Sequence, residues 1–349
     1  MPQFNTPAGG SGVALSVVIP VYNEEEGIRE FHRRTASVLR GLSLPHEIIY
    51  VNDGSTDNSL PILRDLQAGS AEIAILDLSR NFGKEIALSA GLDHARGEVV
   101  VFIDADLQHP PEIIPEFLKQ WREGYDVVYG ARTDRNHESW LKKFCANGFY
   151  RIMRDVGKVS IRPDCGDFLL LSRRAAESVR LFREQHRFMK GLFQWIGYPQ
   201  KVVRYSSEPR YGGKTKWNYR KLWNFALDGI TSFTIFPLKI ASYLGLTTAF
   251  GAFCYAIYIV YKTLLYGDRV AGYPTLIVVM LFLGGVQLMT LGISGEYIGR
   301  IFNESKQRPL YFVNRYYESR ISEAVGLDPT HHESISYSPP SPKRDFPAL

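Results

Sequence analysis

Five short apolar segments and the longer amphipathic segments between them set the pattern of residues 15–130. The amphipathic segments space their apolar residues three or four positions apart, which predicts helices. Strands that alternate with helices in this way predict an α/β fold built on a doubly wound, mostly parallel sheet. The apolar segments predict the strands and are LSVVIP from Leu15, HEIIYVND from His46, EIAILDLS from Glu72, EVVVFID from Glu98 and YDVVYG from Tyr125.

Polar residues follow three of these strands, at the carboxyl edge where such sheets bind their ligands. They are Tyr22, Asn23 and Glu24 after the first strand, Asp53 after the second, and Asp104 and Asp106 after the fourth. The first strand is followed by YNEEE and lacks the GxGxxG of a dinucleotide site. The chain also lacks GxxxxGK followed by Ser or Thr, which excludes a P-loop.

The pair Asp104 and Asp106 is the strongest candidate for chemistry in this set. Two carboxylates one residue apart, with the amide oxygen of Gln108 nearby, are hard oxygen ligands that suit Mg²⁺ or Mn²⁺ bridging a diphosphate. The alternative is that the two aspartates cap the next helix or lie in a solvated turn. The position at the end of a buried strand, with Asp53 at the end of another, favours the metal site.

Two uncharged segments in the second half, residues 240–261 and 273–295, are each long enough to span a bilayer. They predict a transmembrane hairpin, and a pair of buried core helices is the alternative. Basic residues flank both outer ends of the hairpin, which predicts that those ends and the α/β domain lie in the cytoplasm. Residues 214–237 interleave aromatic and basic side chains and predict amphipathic interface helices, although an aromatic-rich helix can also be plain core.

These patterns divide the chain into five parts. Residues 1–12 form a flexible N-terminus, 13–213 the catalytic domain, 214–237 the interface helices, 238–300 the two transmembrane helices, and 301–349 a cytosolic tail that is disordered from about residue 323. The net charge of +5, from 41 Lys and Arg against 36 Asp and Glu, does not indicate a nucleic-acid partner. The three cysteines form no CxxC, which argues against structural zinc, and we expect no signal peptide.

Five motifs together resemble the family 2 glycosyltransferases of the polyisoprenyl-phosphate branch. They are SVVIPVYNEEEGI, VNDGSTDNS, LSRNFGKEIALSAGL, IDADLQHPPE and RFMKGLFQWIGY. The resemblance covers residues 15–313 and is closest to the bactoprenol glucosyltransferases, with dolichol-phosphate mannose synthase more distant. It implies a Rossmann-like GT-A fold, a divalent metal (Mg²⁺ or Mn²⁺), a nucleoside-diphosphate sugar as donor and a long-chain lipid phosphate as acceptor.

The resemblance also implies roles for individual residues. Asp167 is the implied catalytic carboxylate, which accepts a proton or orients the acceptor, with Asp164 as the second choice and a turn-forming role open for both. Lys84 and Arg132 are implied to belong to the nucleotide-sugar site, with Arg132 facing phosphate. The alternatives are that Lys84 only caps the sheet edge and that Arg132 is a solvated loop residue. His109 is expected to be a surface or helix-start residue. The implied nucleotide-sugar site comprises Pro20, Tyr22, Glu24, Asp53, Lys84, Asp104 and Arg132. Within it, the resemblance implies that Asp53 meets the nucleobase and that Pro20, Tyr22 and Glu24 line the nucleoside pocket. The implied metal site comprises Asp104, Asp106 and Gln108, and the implied acceptor-phosphate site Arg210, Lys214 and Lys216.

The expected function is that of a membrane-bound, inverting glycosyltransferase. It would move a sugar, with glucose favoured, from a UDP-sugar to polyprenyl (undecaprenyl) phosphate at the bacterial inner (plasma) membrane, with both termini in the cytoplasm. Self-association through the two spans is left open. A processive polysaccharide synthase would normally show QxxRW and more spans, which the sequence lacks. A non-enzymatic nucleotide- or lipid-binding scaffold would not require Asp53, Asp104, Asp106 and Asp167 together. Two spans are too few to form a lipid-sugar flippase alone.

Overall fold

An eight-stranded mixed sheet is the centre of the fold. The computed structural model describes residues 12–133, 165–185, 187–206, 236–266 and 272–321. Within them the strand order is β7-β5-β6-β4-β1-β2-β3-β8. The strands are β1 Leu15–Val21, β2 His46–Asn52, β3 Ile73–Leu78, β4 Val99–Phe102, β5 Val127–Arg132, β6 Cys165–Ser172, β7 Gln200–Tyr205 and β8 Val313–Tyr317.

The strand pairing confirms a mostly parallel α/β sheet with two antiparallel insertions. β1 pairs in parallel with β2 and β4, β2 with β3, and β5 with β7. β6 runs antiparallel between β4 and β5, and β8 runs antiparallel beside β3. The five predicted strands are present, with ends within two residues of the predicted ones.

Helices cover both faces of this sheet. Apolar residues of α1, α2 and α4 pack with one face, and those of α3, α5 and α6 with the other. A parallel sheet covered in this way is buried on both sides, which explains why its strands are continuously apolar rather than alternating. The helices are α1 Ile28–Gly41, α2 Ser59–Gly69, α3 Lys84–His94, α4 Ile114–Arg122, α5 Arg173–Arg180, α6 Met189–Trp195, α7 Phe236–Tyr266 and α8 Tyr273–Ser305, with a short 3₁₀ turn at Pro111–Ile113 before α4.

A buried ion pair lies at the edge of the sheet opposite the polar loops. The carboxylate of Glu47 is fully buried and accepts hydrogen bonds from the Arg96 guanidinium at 2.8 Å and from the Ser16 hydroxyl at 2.6 Å. The backbone N–H of Arg96 donates to the same carboxylate at 2.8 Å. A buried charge is tolerated only when it is paired and hydrogen-bonded, so this cluster ties β1, β2 and the start of β4 together.

The chain returns to the sheet after α8. The side chain of Asn314 donates to Asp77 at 2.7 Å, and the backbone N–H of Ser79 donates to the Phe312 carbonyl at 2.9 Å. Gln67 donates to the carbonyl of Tyr317 at 3.1 Å. Strand β8 thereby covers the edge of β3, which would otherwise offer unpaired backbone groups. No apolar pattern in the sequence indicated this strand.

Helices α7 and α8 pack on one another and coincide with the predicted hairpin. Many of their large apolar side chains are exposed, Leu246, Phe250 and Leu264 among them. Across the described ranges, however, no helix is both long and apolar enough to cross a membrane. The two helices of the prediction are therefore present, and their crossing of a bilayer is not confirmed. The predicted interface helices and flexible termini lie largely outside the described residues.

Candidate active site

The candidate site lies at the carboxyl edge of the parallel strands. β1, β2 and β4 end there and deliver Tyr22, Asp53 and Asp104. β6 runs the opposite way, so its first residues, Asp167 among them, reach the same edge. Sheet topology therefore brings together groups that stand far apart in the sequence.

The loops after β1 and β2 are joined by side-chain hydrogen bonds. Asn23 has a positive φ of 53° and accepts a hydrogen bond from the backbone N–H of Thr56 at 2.8 Å. The backbone N–H of Glu24 donates to the Ser59 hydroxyl at 2.9 Å. Pro20 and Tyr22 lie beside this junction, with Tyr22 exposed. The nucleoside-pocket role of Pro20, Tyr22 and Glu24 stays a prediction.

Asp53 fixes the loop that follows β3. It is buried, and its two carboxylate oxygens accept the backbone N–H groups of Phe82 at 2.7 Å and Gly83 at 2.9 Å. Burial raises the pKa of Asp53 in spite of these bonds. Gly54 has φ +63°, and a Cβ there would lie 2.5 Å from the Arg80 backbone, so only glycine permits this close approach. The contact of Asp53 with the nucleobase stays a prediction.

Lys84 follows that loop directly and bridges two carboxylates. Its ammonium lies 2.7 Å from Asp104 and 2.5 Å from Asp167. Burial lowers the pKa of Lys84, but the two carboxylates outweigh it and raise the pKa above its ordinary value. Lys84 is therefore a cation between Asp167 and the acidic loop, the loop after β4 that carries Asp104 and Asp106. The alternative role for Lys84 in the sequence analysis is a cap at the edge of the sheet.

Asp167 has a second lysine nearby. The ammonium of Lys190, on α6, lies 3.7 Å from Oδ1 of Asp167. Burial raises the pKa of Asp167, but the charges of Lys190 and Lys84 outweigh it and hold the pKa below its usual range. The carboxyl group is therefore ionised at neutral pH.

Glu85 holds the segment that carries Lys190. Its Oε2 accepts the backbone N–H of Met189 at 3.0 Å. Burial, together with the negative charge of Asp167, raises the pKa of Glu85 to about 7. The sequence reading missed Lys190 and Glu85 because nothing in their spacing indicates a contact across about a hundred residues, although both lie within motifs quoted for the resemblance.

The loop after β4 offers oxygen donors to a metal ion. Asp104 and Asp106 are carboxylates on one loop, and Asp106 also accepts the backbone N–H of Gln108 at 3.1 Å. Among the described residues no group of three His, Cys, Asp or Glu side chains could hold a metal. Mg²⁺ commonly uses only one or two carboxylates together with substrate phosphates and water. Two carboxylates and the amide oxygen of Gln108 are hard oxygen donors, so the donor set fits an ion shared with a diphosphate.

Arg132 and His109 form the far side of this loop. Arg132 donates to the Gln108 amide oxygen at 3.1 Å, so it is not merely a solvated loop arginine. The expectation that His109 is a surface residue is wrong. Its ring is buried, packs on Phe168 and is hydrogen-bonded to the Tyr205 hydroxyl. Burial lowers the pKa of His109, so the imidazole is neutral near pH 7 and serves as a packed support for the loop.

Four of the predicted site residues lie outside the described residues. They are Asp164 and the implied acceptor-phosphate residues Arg210, Lys214 and Lys216. Their roles stay predictions.

Comparison with known proteins identifies the family. Residues 16–180 match Glycosyl transferase family 2, and residues 236–301 match the GtrB C-terminal hairpin. An uncharacterized glycosyltransferase of Synechocystis sp. is 50% identical over 86% of this chain and 95% of its own length.

Two further relatives carry more specific names. The prophage bactoprenol glucosyl transferase homolog of Escherichia coli is 43% identical, over 86% of this chain and 98% of its own. The bactoprenol glucosyl transferase of Shigella phage SfV is 44% identical, over 86% and 97%. With the acidic loop, the two lysines and Asp167 gathered at the carboxyl edge of a GT-A-like sheet, the chain belongs to glycosyl transferase family 2 and is a glycosyltransferase.

Proposed function

We propose that the enzyme transfers a sugar, with glucose first in order of preference, from a UDP-sugar to the phosphate of a polyprenyl phosphate. The observation that carries this proposal is the cluster in which Lys84 joins Asp104, on the metal-suited loop, to Asp167. At the carboxyl edge of the sheet, this cluster places the loop suited to the donor's diphosphate beside Asp167, which is suited to the acceptor. Relatives named for bactoprenol support a lipid carrier as that second reactant.

The chain's own residues divide the chemistry between the two substrates. A divalent ion, Mg²⁺ or Mn²⁺, bound by Asp104, Asp106 and Gln108 would supply positive charge to the leaving diphosphate. Arg132, hydrogen-bonded to Gln108, brings a fixed positive charge to the same loop. An oxygen of the acceptor phosphate forms the bond to the anomeric carbon while the bond from that carbon to the diphosphate breaks. The electron pair of the broken bond leaves with UDP, and direct attack inverts the anomeric configuration.

Asp167 orients the acceptor in this scheme. The nearby lysines keep its pKa below the usual range, so it is a poor proton acceptor. A phosphate monoester carries at least one negative charge at neutral pH and needs no base to become a nucleophile. The alternative left open by the sequence, proton acceptance by Asp167, is therefore less favoured.

We also propose that helices α7 and α8 hold the enzyme in the bacterial plasma membrane, with the catalytic domain and both termini in the cytoplasm. Contiguous exposed apolar surface on a soluble protein is rare and marks a membrane or protein contact. Large apolar side chains are exposed along both helices, among them Leu246, Phe250 and Leu264 on α7 and Leu288 and Leu291 on α8. The match to the GtrB C-terminal hairpin coincides with both helices.

Protease accessibility checks this arrangement. In intact cells, tags placed after Leu349 and before Gln3 should be protected from external protease, while a tag near Gly267 should be cut. The reason is that basic residues flank the outer ends of the hairpin and few charges lie in its loop. Cleavage of the C-terminal tag would contradict the proposed topology.

Release of UDP tests the proposed reaction. Purified enzyme in detergent should release UDP from a UDP-sugar in the presence of Mn²⁺ when polyprenyl phosphate is added, and far more slowly with the corresponding polyprenol. A panel of UDP-glucose, UDP-galactose and UDP-N-acetylglucosamine identifies the sugar. Equal rates with and without lipid phosphate would contradict a lipid acceptor.

A further inference from the structure

Asp167 and Lys190 face each other with hydrogen-bonding capacity that the described residues do not use. Oδ1 of Asp167 is buried and has no hydrogen-bond partner among the described residues. The Lys190 ammonium is 3.7 Å away, which is too long for a hydrogen bond, and makes none within the described part of the chain. Buried polar atoms are normally satisfied, so the open buried acceptor of Asp167 beside a partly exposed ammonium indicates a position where a polar ligand can bind.

The other oxygen of Asp167 is already used. Oδ2 accepts from Lys84, whose ammonium is also held by Asp104. Lys84 is thus hydrogen-bonded to two carboxylates, whereas Lys190 lies near the charges of Asp167 and Glu85 without a hydrogen bond to either among the described residues. Lys190 is 30% exposed, so its ammonium can be reached from outside. The positive charge available to an incoming anion therefore lies at Lys190.

We propose that Lys190 and Oδ1 of Asp167 bind the phosphate of the acceptor, with Lys190 donating to a phosphate oxygen. This rests on the proposed function, since it gives a site to the second substrate of that reaction. A phosphate monoester monoanion matches both groups, because a P–O⁻ accepts from the ammonium and the P–OH donates to the carboxylate. When the P–O⁻ oxygen attacks the anomeric carbon, the bond from that carbon to the diphosphate breaks and UDP leaves with the electron pair. The product is a phosphodiester, a strong acid, so the remaining P–OH proton passes to water.

The position of Lys190 is fixed from two sides. The backbone of Met189 is hydrogen-bonded to Glu85, the neighbour of Lys84. Further back along the chain, the backbone N–H of Gln185 donates to Glu304 of α8 at 2.7 Å, and the Gln185 amide donates to the carbonyl of Arg308. Gln185 thus contacts the end of the proposed membrane hairpin, and Met189 and Lys190, a few residues further on, lie beside Glu85 and Asp167. A phosphate on a membrane-held lipid would arrive from that side, which favours the acceptor over the donor as the ligand of Lys190.

Kinetics with both substrates test this assignment. Lys190→Ala should raise KM for polyprenyl phosphate by about 10- to 100-fold, the scale of one lost charge-assisted hydrogen bond. KM for the UDP-sugar and the affinity for UDP should stay within about twofold of the wild type. Lys190→Arg should recover most of the acceptor affinity, because it keeps the charge. Lys119→Ala, which removes an exposed lysine of α4 paired with Glu116, is the matched control and should change neither constant.

Binding without turnover separates this inference from the proposed function. With UDP present and no sugar, calorimetry should show a short-chain polyprenyl monophosphate binding the wild type about 10- to 100-fold more tightly than Lys190→Ala. Inorganic phosphate should compete for the wild type only, whereas a polyprenol should not distinguish the two proteins. Lys190-dependent binding of the monophosphate without any sugar transfer would contradict the proposed function and still support this inference.

Three results would overturn the inference. They are unchanged acceptor binding in Lys190→Ala, a loss of UDP affinity in its place, or a fall in kcat with acceptor KM unaltered. The second would assign Lys190 to the donor. The third would reduce Lys190 to a structural counter-charge for Asp167.

Discussion

Replacing Asp104 by asparagine should lower sugar transfer by about 10²- to 10³-fold while the protein stays folded. Loss of one preorganised charge at the leaving diphosphate typically costs that much in rate. Asparagine has the same shape, so the loop after β4 should keep its conformation. We expect Asp106→Asn to lose activity in the same way, and both variants to need more Mn²⁺ for half-maximal rate, because few protein oxygens are available to hold the ion.

Initial rates over a Mn²⁺ titration measure this effect. Asp65→Asn is the matched control, since Asp65 is an exposed carboxylate on α2 that forms an ion pair with Arg29 of α1. It should have wild-type rates at every Mn²⁺ concentration. Wild-type turnover by Asp104→Asn at low Mn²⁺ would contradict the assignment of the acidic loop to the metal and diphosphate.

Replacing Glu47 by alanine should destabilise the catalytic domain by about 3–5 kcal/mol. Breaking a buried pair from one side leaves the other charge without compensation. Here the Arg96 guanidinium would keep only the more distant, exposed carboxylate of Glu318 at 3.4 Å, and the Ser16 hydroxyl would lose its acceptor. At about 2–4 °C per kcal/mol for a domain of this size, the midpoint of thermal unfolding should fall by roughly 10 °C.

Thermal unfolding of the detergent-solubilised protein measures this change. Glu30→Ala is the control, since Glu30 forms an exposed ion pair with Arg33 one turn along α1. Exposed pairs of this kind contribute about 0–1 kcal/mol. If Glu47→Ala unfolded at the same temperature as Glu30→Ala, the result would contradict the conclusion that the Glu47–Arg96 ion pair holds β1, β2 and the start of β4 together.

The sequence was sufficient for the elements whose signal is local. Buried parallel strands are continuous apolar runs, so β1 to β5 were predicted within two residues of their ends. The polar residues after them were placed at one edge because parallel strands end together. Asp104, Asp106 and Arg132 indeed lie around one loop.

What the sequence did not reveal depends on contacts between distant segments. Strand β8 is short and half polar, and it becomes a strand only because β3 leaves an edge open. His109 was expected to be a surface or helix-start residue; the surface position is wrong, because Phe168 and Tyr205 pack around the ring in the fold. The pairing of Asp167 with Lys84 and Lys190 requires the antiparallel entry of β6, which no local pattern encodes.

The composition of the lipid product tests the central claim most directly. The purified enzyme is incubated with Mn²⁺, undecaprenyl phosphate and the UDP-sugar that the panel selects, and the lipid is extracted for mass spectrometry and NMR. We predict one sugar residue added to the lipid monophosphate, one UDP released for each lipid product, and an anomeric configuration opposite to that of the donor. Free sugar without a lipid product, or a lipid diphosphate carrying the sugar, would contradict the account.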